Sequence, residues 1–158
     1  MILYPGSNTS FDQIDLTKSL PNKDFGKGFY LSDNYEQAEE MAKFKVVISG
    51  GNVIVQSYHI EDSVLDDDSL KIKIFKEYTK EWAEFILVNR NNNSEVPAHD
   101  YDIVYGPIAN DKVGMQIRKY KDGTINFEEF LHRLQYMKGI TFQYFFGTDK
   151  AIKKLRKL

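Results

Sequence analysis

The sequence predicts a single α+β domain, and three observations carry that prediction. Apolar runs that suit strands are short and are separated by irregular excursions. Stretches with helical period lie between them without the steady strand–helix–strand alternation of a doubly wound sheet. The chain of 158 residues is of ordinary single-domain size, with no repeat and no linker dividing 1–158. Hydrophobic residues make up 42% and aromatics 14%, enough for a packed core, so disorder is a poor description of the whole.

Ile2, Leu3 and Tyr4 open the chain as a strand, which the breaker pair Pro5-Gly6 ends. Residues 8–27 are polar and turn-rich, a long excursion before a second strand at Phe29, Tyr30 and Leu31. Asp33 or Asn34 then caps a helix with Tyr35, Ala38, Met41, Ala42 and Lys45 on one side. Gly50-Gly51 stops that helix and leads into a β-rich run over 53–60. Leu70, Ile72 and Ile74 alternate with Lys71 and Lys73, as a half-exposed strand does. Residues 79–90 read as a helix burying Trp82, Phe85, Ile86 and Asn89. The tract 89–97 offers turn formers and no apolar period. Ile103, Val104 and Tyr105 form a strand closed by Gly106-Pro107.

Phe127, Phe130, Leu131, Leu134 and Met137 give the cleanest amphipathic stripe, on a helix over about 126–138. Glu128, Glu129 and Arg133 should face outward, with Gly139 as its C-cap. Residues 141–146 form an aromatic strand, and Asp149 is expected to cap a last short helix in the basic C-terminus.

Several chemistries are excluded. No cysteine is present, so disulfides, thiolate catalysis and zinc ribbons are absent. His59, His99 and His132 have no second ligand at metal spacing, so no metal is expected. Neither a P-loop nor a nucleophile-elbow motif occurs, and Asp24-Phe25-Gly26 lacks the other kinase segments. A formal charge of −2 disfavours bulk electrostatic binding to nucleic acid. The sequence has no run apolar enough to span a bilayer and no signal-peptide pattern, so the expected compartment is the cytoplasm, with no membrane partner.

Two glycine-containing segments lie beside aromatics: Leu3-Tyr4-Pro5-Gly6-Ser7, and Asp24-Phe25-Gly26-Lys27-Gly28-Phe29-Tyr30. Glycine lets a ligand approach the backbone, and tyrosine offers a flat stacking face. The bland alternative is a pair of strand-edge turns with core aromatics.

These segments resemble a bacterial family of unknown detailed function placed in the ADP-ribosyltransferase-like superfamily. Further along, Gln37-Ala38, Ala42, Trp82-Ala83, Phe85, Asn89-Arg90, the run from Tyr101 through Gly106-Pro107 to Asp111, and Gln143 to Thr148 fit as well. The resemblance covers nearly the whole chain. It implies two small split sheets around a nicotinamide cleft, and NAD as co-substrate.

Carried over residue by residue, Pro5 stands where the superfamily has a first-strand histidine, and Tyr30 where it has a tyrosine that stacks on nicotinamide. Gln143 is the candidate for the third position, which holds the nicotinamide ribose. Tyr4, Pro5, Gly6, Ser7, Phe25, Gly26 and Tyr30 would bind the cofactor; Tyr30 and Gln143 would act in catalysis. Proline cannot supply the histidine's hydrogen bond, and glutamine brings no charge to an oxocarbenium ion, so turnover should be weakened. The implied activity is toxin-like mono-ADP-ribosylation of an unknown macromolecular acceptor, with an antitoxin or regulatory partner as a further expectation. A binding module without turnover is the alternative, and a nucleic-acid-binding protein using the basic C-terminal helix is the weakest reading.

Overall fold

The computed structural model of the protein describes residues 1–135 and 139–158. Its centre is a four-stranded sheet, built from β3 (Phe29–Leu31), β6 (Ile72–Ile74), β7 (Ile103–Pro107) and β8 (Phe142–Phe146) in the order β3-β8-β7-β6. Only the β6–β7 pair is parallel. Two small sheets flank it: β1 (Ile2–Leu3), β5 (Tyr58–His59) and β9 (Arg156–Lys157) in one, β2 (Gly6–Ser7) and β4 (Ile54–Val55) in the other. A Tyr4–Ser32 bridge links the first sheet to the end of β3. The expectation of an α+β chain with small split sheets therefore holds, but the described residues form three sheets rather than two.

Register assigns every residue of the central sheet to a face. Tyr30, Phe145 and Val104 are paired in one row, and Gln143 lies opposite Gly106 two residues further along β8. Side chains alternate along a strand, so these residues share a face. That face packs on Phe25, on Trp82, Ala83 and Ile86 of α2 (Lys80–Arg90), on Val113 and Ile117 of α3 (Asp111–Lys121), and on Phe130 and Leu134 of α4 (Phe127–Gln135). The opposite face, with Leu31, Ile103, Tyr144 and Phe146, buries Leu3, Tyr58, Ile60 and Ala151. Among the described residues no helix is long and apolar enough to cross a membrane.

The remaining α-helices are α1 (Tyr35–Ser49) and α5 (Asp149–Ile152). Asn34 caps α1 by accepting the Gln37 amide, and Gly50 follows at φ 76°. Helix α1 lies against the narrow β2–β4 ribbon, so its contact stripe is thin. Ala38 and Ala42 are buried, while Tyr35 and Met41, expected on the same side, are exposed. The approach is close: a Cβ on Gly6 would lie 2.0 Å from the Ala38 carbonyl oxygen.

Other expectations need correction. The run 53–60 splits into β4 and β5, which serve different sheets. Thr148, not Asp149, caps α5, by accepting the Ala151 amide. The basic C-terminus is not a continuous helix, because Arg156 and Lys157 pair with β5. Leu131 is only half-buried, whereas Phe130 and Leu134 are in the core. Met137, the last residue of the expected stripe, lies outside the described residues. Periodicity also passed over α3, although Asn110 caps it and Val113 and Ile117 stand four apart on its buried side.

Candidate functional site

Three devices shape a cleft beside Tyr30. Pro5 and Gly6 form its buried floor, because β2 is pressed onto α1. The excursion before β3 folds across the front and contributes Lys18 and Lys23. Lys45 reaches in from α1 and donates to the Gly6 carbonyl at 2.6 Å. The cleft encloses about 400 Å³ and is also lined by Ser7 and Tyr30.

Tyr30 is fixed at its hydroxyl, which donates to the Gly26 carbonyl at 2.7 Å and accepts the Phe25 amide at 3.0 Å. Burial pushes the phenol pKa well above its ordinary value. Phe145 meets its ring edge-on at 5.3 Å, and the Lys23 ammonium sits over the ring 5.5 Å from its centroid.

Phe25 stands behind Tyr30 rather than in the cleft. It is fully buried, stacked on Tyr30 at 6.3 Å and on Phe75 at 6.5 Å. Gly26, at φ 94°, lines a different cavity of about 560 Å³ together with Asn89, His99 and Tyr101. His99 is held there at both ring nitrogens. Nδ1 accepts the Tyr101 amide at 3.0 Å, so Nε2 carries the proton and donates to the Phe25 carbonyl at 2.6 Å. Burial lowers the His99 pKa, consistent with a neutral latch. The larger cavity is thus walled by groups that hold the chain together.

Tyr4 pairs with Ser32 through its backbone and sets its ring edge-on to Tyr35 at 5.4 Å, away from the cleft lining. Gln143 is not among the cleft-lining residues either, but shares a sheet face with Tyr30. Its amide nitrogen is buried and has no hydrogen-bond partner among the described residues. A buried donor left open in this way costs stability. Of the residues expected to bind NAD, Pro5, Gly6, Ser7 and Tyr30 converge, while Tyr4, Phe25 and Gly26 lie around them.

Sequence reasoning missed the lysines. Burial first, and then the charge of Lys23, lower the Lys45 pKa to about 8. Burial also lowers the Lys23 pKa, against the opposing pull of Asp24. In sequence Lys45 looks like any helix lysine, and Lys23 like any loop lysine. Only the fold shows that they share a cleft. Among the described residues no cluster of His, Cys, Asp or Glu is arranged to hold a metal.

No curated protein and no solved structure matches the chain. A model of a family described as protein of unknown function, DUF3990, matches residues 1–157, and the chain belongs to that family.

Proposed function

We propose that the cleft binds NAD and that the protein transfers ADP-ribose from it to a macromolecular acceptor, releasing nicotinamide. One observation carries this reading: Pro5, Gly6 and Ser7 line one cleft with Tyr30, more than twenty residues away in sequence. Those are the segments whose motifs resemble the ADP-ribosyltransferase-like superfamily, and Gln143 extends the same sheet face with an unused donor.

In this reading the nicotinamide ring, a cation in NAD, takes the Tyr30 face over which Lys23 now sits. The Gln143 amide donates to a ribose hydroxyl. The glycosidic bond breaks with its electron pair leaving on nicotinamide, and the oxocarbenium ion at the ribose is captured by the acceptor nucleophile, which loses a proton. The contribution of Gln143 is positional, because a neutral amide adds no countercharge.

A second reading, a binding module without turnover, is favoured by Pro5. Its ring is buried at the position where the superfamily has a histidine donor, and proline has no N–H of its own.

The test is NAD labelled in its adenylate half, incubated with purified protein and cell lysate, with nicotinamide release and label transfer both followed. The transferase reading expects both signals, a fall in turnover greater than any loss of NAD binding in Gln143→Ala, and a rise in turnover in Gln143→Glu. NAD binding without release in wild type, with activity appearing in Gln143→Glu, selects the binding module. Absence of NAD binding in folded wild type refutes both.

A further inference from the structure

Two half-buried ammonium groups share the cleft, and neither meets a carboxylate. Lys45 spends one of its three donors on the Gly6 carbonyl. Lys23 sits over the Tyr30 ring, and exposed Lys18 joins them in the lining. Among the described residues none of the three forms an ion pair.

The nearby acids are engaged elsewhere. Asp15 lines the cleft, but its Oδ1 accepts both the amide and the hydroxyl of Thr17. Asp24, next in sequence to Lys23, binds the Arg90 guanidinium at 2.7 Å. Holding cations together away from water is unfavourable unless an anion joins them. The depressed Lys45 pKa is the sign of that cost.

We infer that the lysine cleft is an anion site for the diphosphate group of a small organic phosphate, with Lys23 and Lys45 donating to its oxygens and Lys18 adding charge. Three lysines against one engaged carboxylate match a group carrying more than one negative charge. A cleft of about 400 Å³ encloses part of a small molecule. The overall charge of −2 gives a polyanionic polymer no wider attraction. Naming NAD as the carrier rests on the reading above; the anion site itself does not.

Calorimetric titrations with inorganic pyrophosphate, NAD and nicotinamide riboside, which lacks the diphosphate, test the assignment. The proteins are wild type, Lys45→Met, Lys23→Met, Lys45→Arg and the exposed control Lys80→Met, with circular dichroism to confirm folding. Pyrophosphate should bind wild type, more weakly as salt is added. Each cleft Met variant should lose about tenfold or more in affinity, the scale of one charge-assisted hydrogen bond. Lys45→Arg and Lys80→Met should retain it. If Lys45→Met does not fold, Lys23→Met, in a loop, decides the matter.

Lysine-dependent pyrophosphate binding without NAD binding keeps the anion site and removes NAD as its carrier. Pyrophosphate binding that both Met variants retain in full overturns the lysine assignment and leaves the NAD reading intact, as does the absence of pyrophosphate binding beside intact NAD binding. NAD binding that both Met variants retain, or riboside binding as tight as that of NAD, removes NAD as the carrier of the diphosphate.

Discussion

Two cations from different helices lie near Lys23 and Asp24 of the loop before β3, and they meet opposite conditions. Arg90, at the end of α2, finds Asp24 at 2.7 Å and the Ala109 carbonyl at 3.1 Å. Lys45, within α1, finds a single carbonyl and the neighbouring charge of Lys23. Consecutive residues, Lys23 and Asp24, therefore serve different sides of one loop. The arginine is satisfied by the protein and fastens the loop to the helical face. The lysine has one carbonyl partner and no carboxylate, and its remaining donors face the cleft. A charge that the fold pairs is there for the fold, and one that it buries without a partner marks where to look for binding.

The largest expected effect breaks the paired side. Arg90→Ala leaves the Asp24 carboxylate, whose side chain is only 16% exposed, without its cation, and leaves the Ala109 carbonyl open. Removing one partner of a buried pair costs about 3–5 kcal/mol. Some solvent reaches this one, so a loss of roughly 2–4 kcal/mol is expected in urea unfolding. A loss under about 0.5 kcal/mol, the scale of ordinary surface changes, would place Arg90 on the same footing as Lys45 and erase the contrast.

Tyr30 stands between the two sides, and the expected effect there is smaller. Tyr30→Phe keeps the ring and removes the hydroxyl that bonds both Gly26 and Phe25. Stability should fall by roughly 1–3 kcal/mol, the cost of leaving such groups unpaired. NAD binding should hold if stacking is what the ring supplies, so the variant separates the structural hydroxyl from the binding face. Equal losses in thermal unfolding and in NAD titration would merge the two roles.

The same contrast explains what was legible in the sequence. The helix over 79–90 could be read because one face of α2 is buried, so Trp82, Ile86 and Asn89 carry the period. Helix α1 was legible in extent but not in face, because a two-stranded ribbon covers only Ala38 and Ala42. Helix α3 was obscured by Gly114 and by its run of polar residues, since its buried side is little more than Val113, Gln116 and Ile117. β9 was hidden because a two-residue edge strand, exposed at both positions, has no period to read. Pro5, Gly6, Ser7 and Tyr30 stand in motifs, and the fold brings them to one cleft. Lys23 and Lys45 carry no motif, and their shared burial depends on how the excursion over 8–27 crosses the cleft.

The smallest effect sharpens the unpaired side. Lys45→Met removes one hydrogen bond to Gly6 and also a desolvated charge, and these oppose each other, so stability near pH 7 should change by less than about 0.5 kcal/mol. The two proteins should separate at higher pH. The folded-state pKa of Lys45, about 8, lies below its ordinary value of 10.5. Between those values the unfolded chain holds a proton that the folded protein has released, so the contribution of Lys45 to stability rises with pH. Below about 8 both states are protonated, and the burial cost is carried in full. Lys23 is shifted in the same direction, and because its charge acts on Lys45 the difference between the two proteins reports the titration of the pair. Wild type should therefore gain on Lys45→Met by about 1 kcal/mol between pH 7 and pH 9 in urea unfolding. Anion affinity should run the other way, falling as Lys45 loses its proton. A stability difference that stays flat over this range would mean that the Lys45 ammonium is solvated like any surface lysine, and the distinction between the two cations would rest on Arg90 alone.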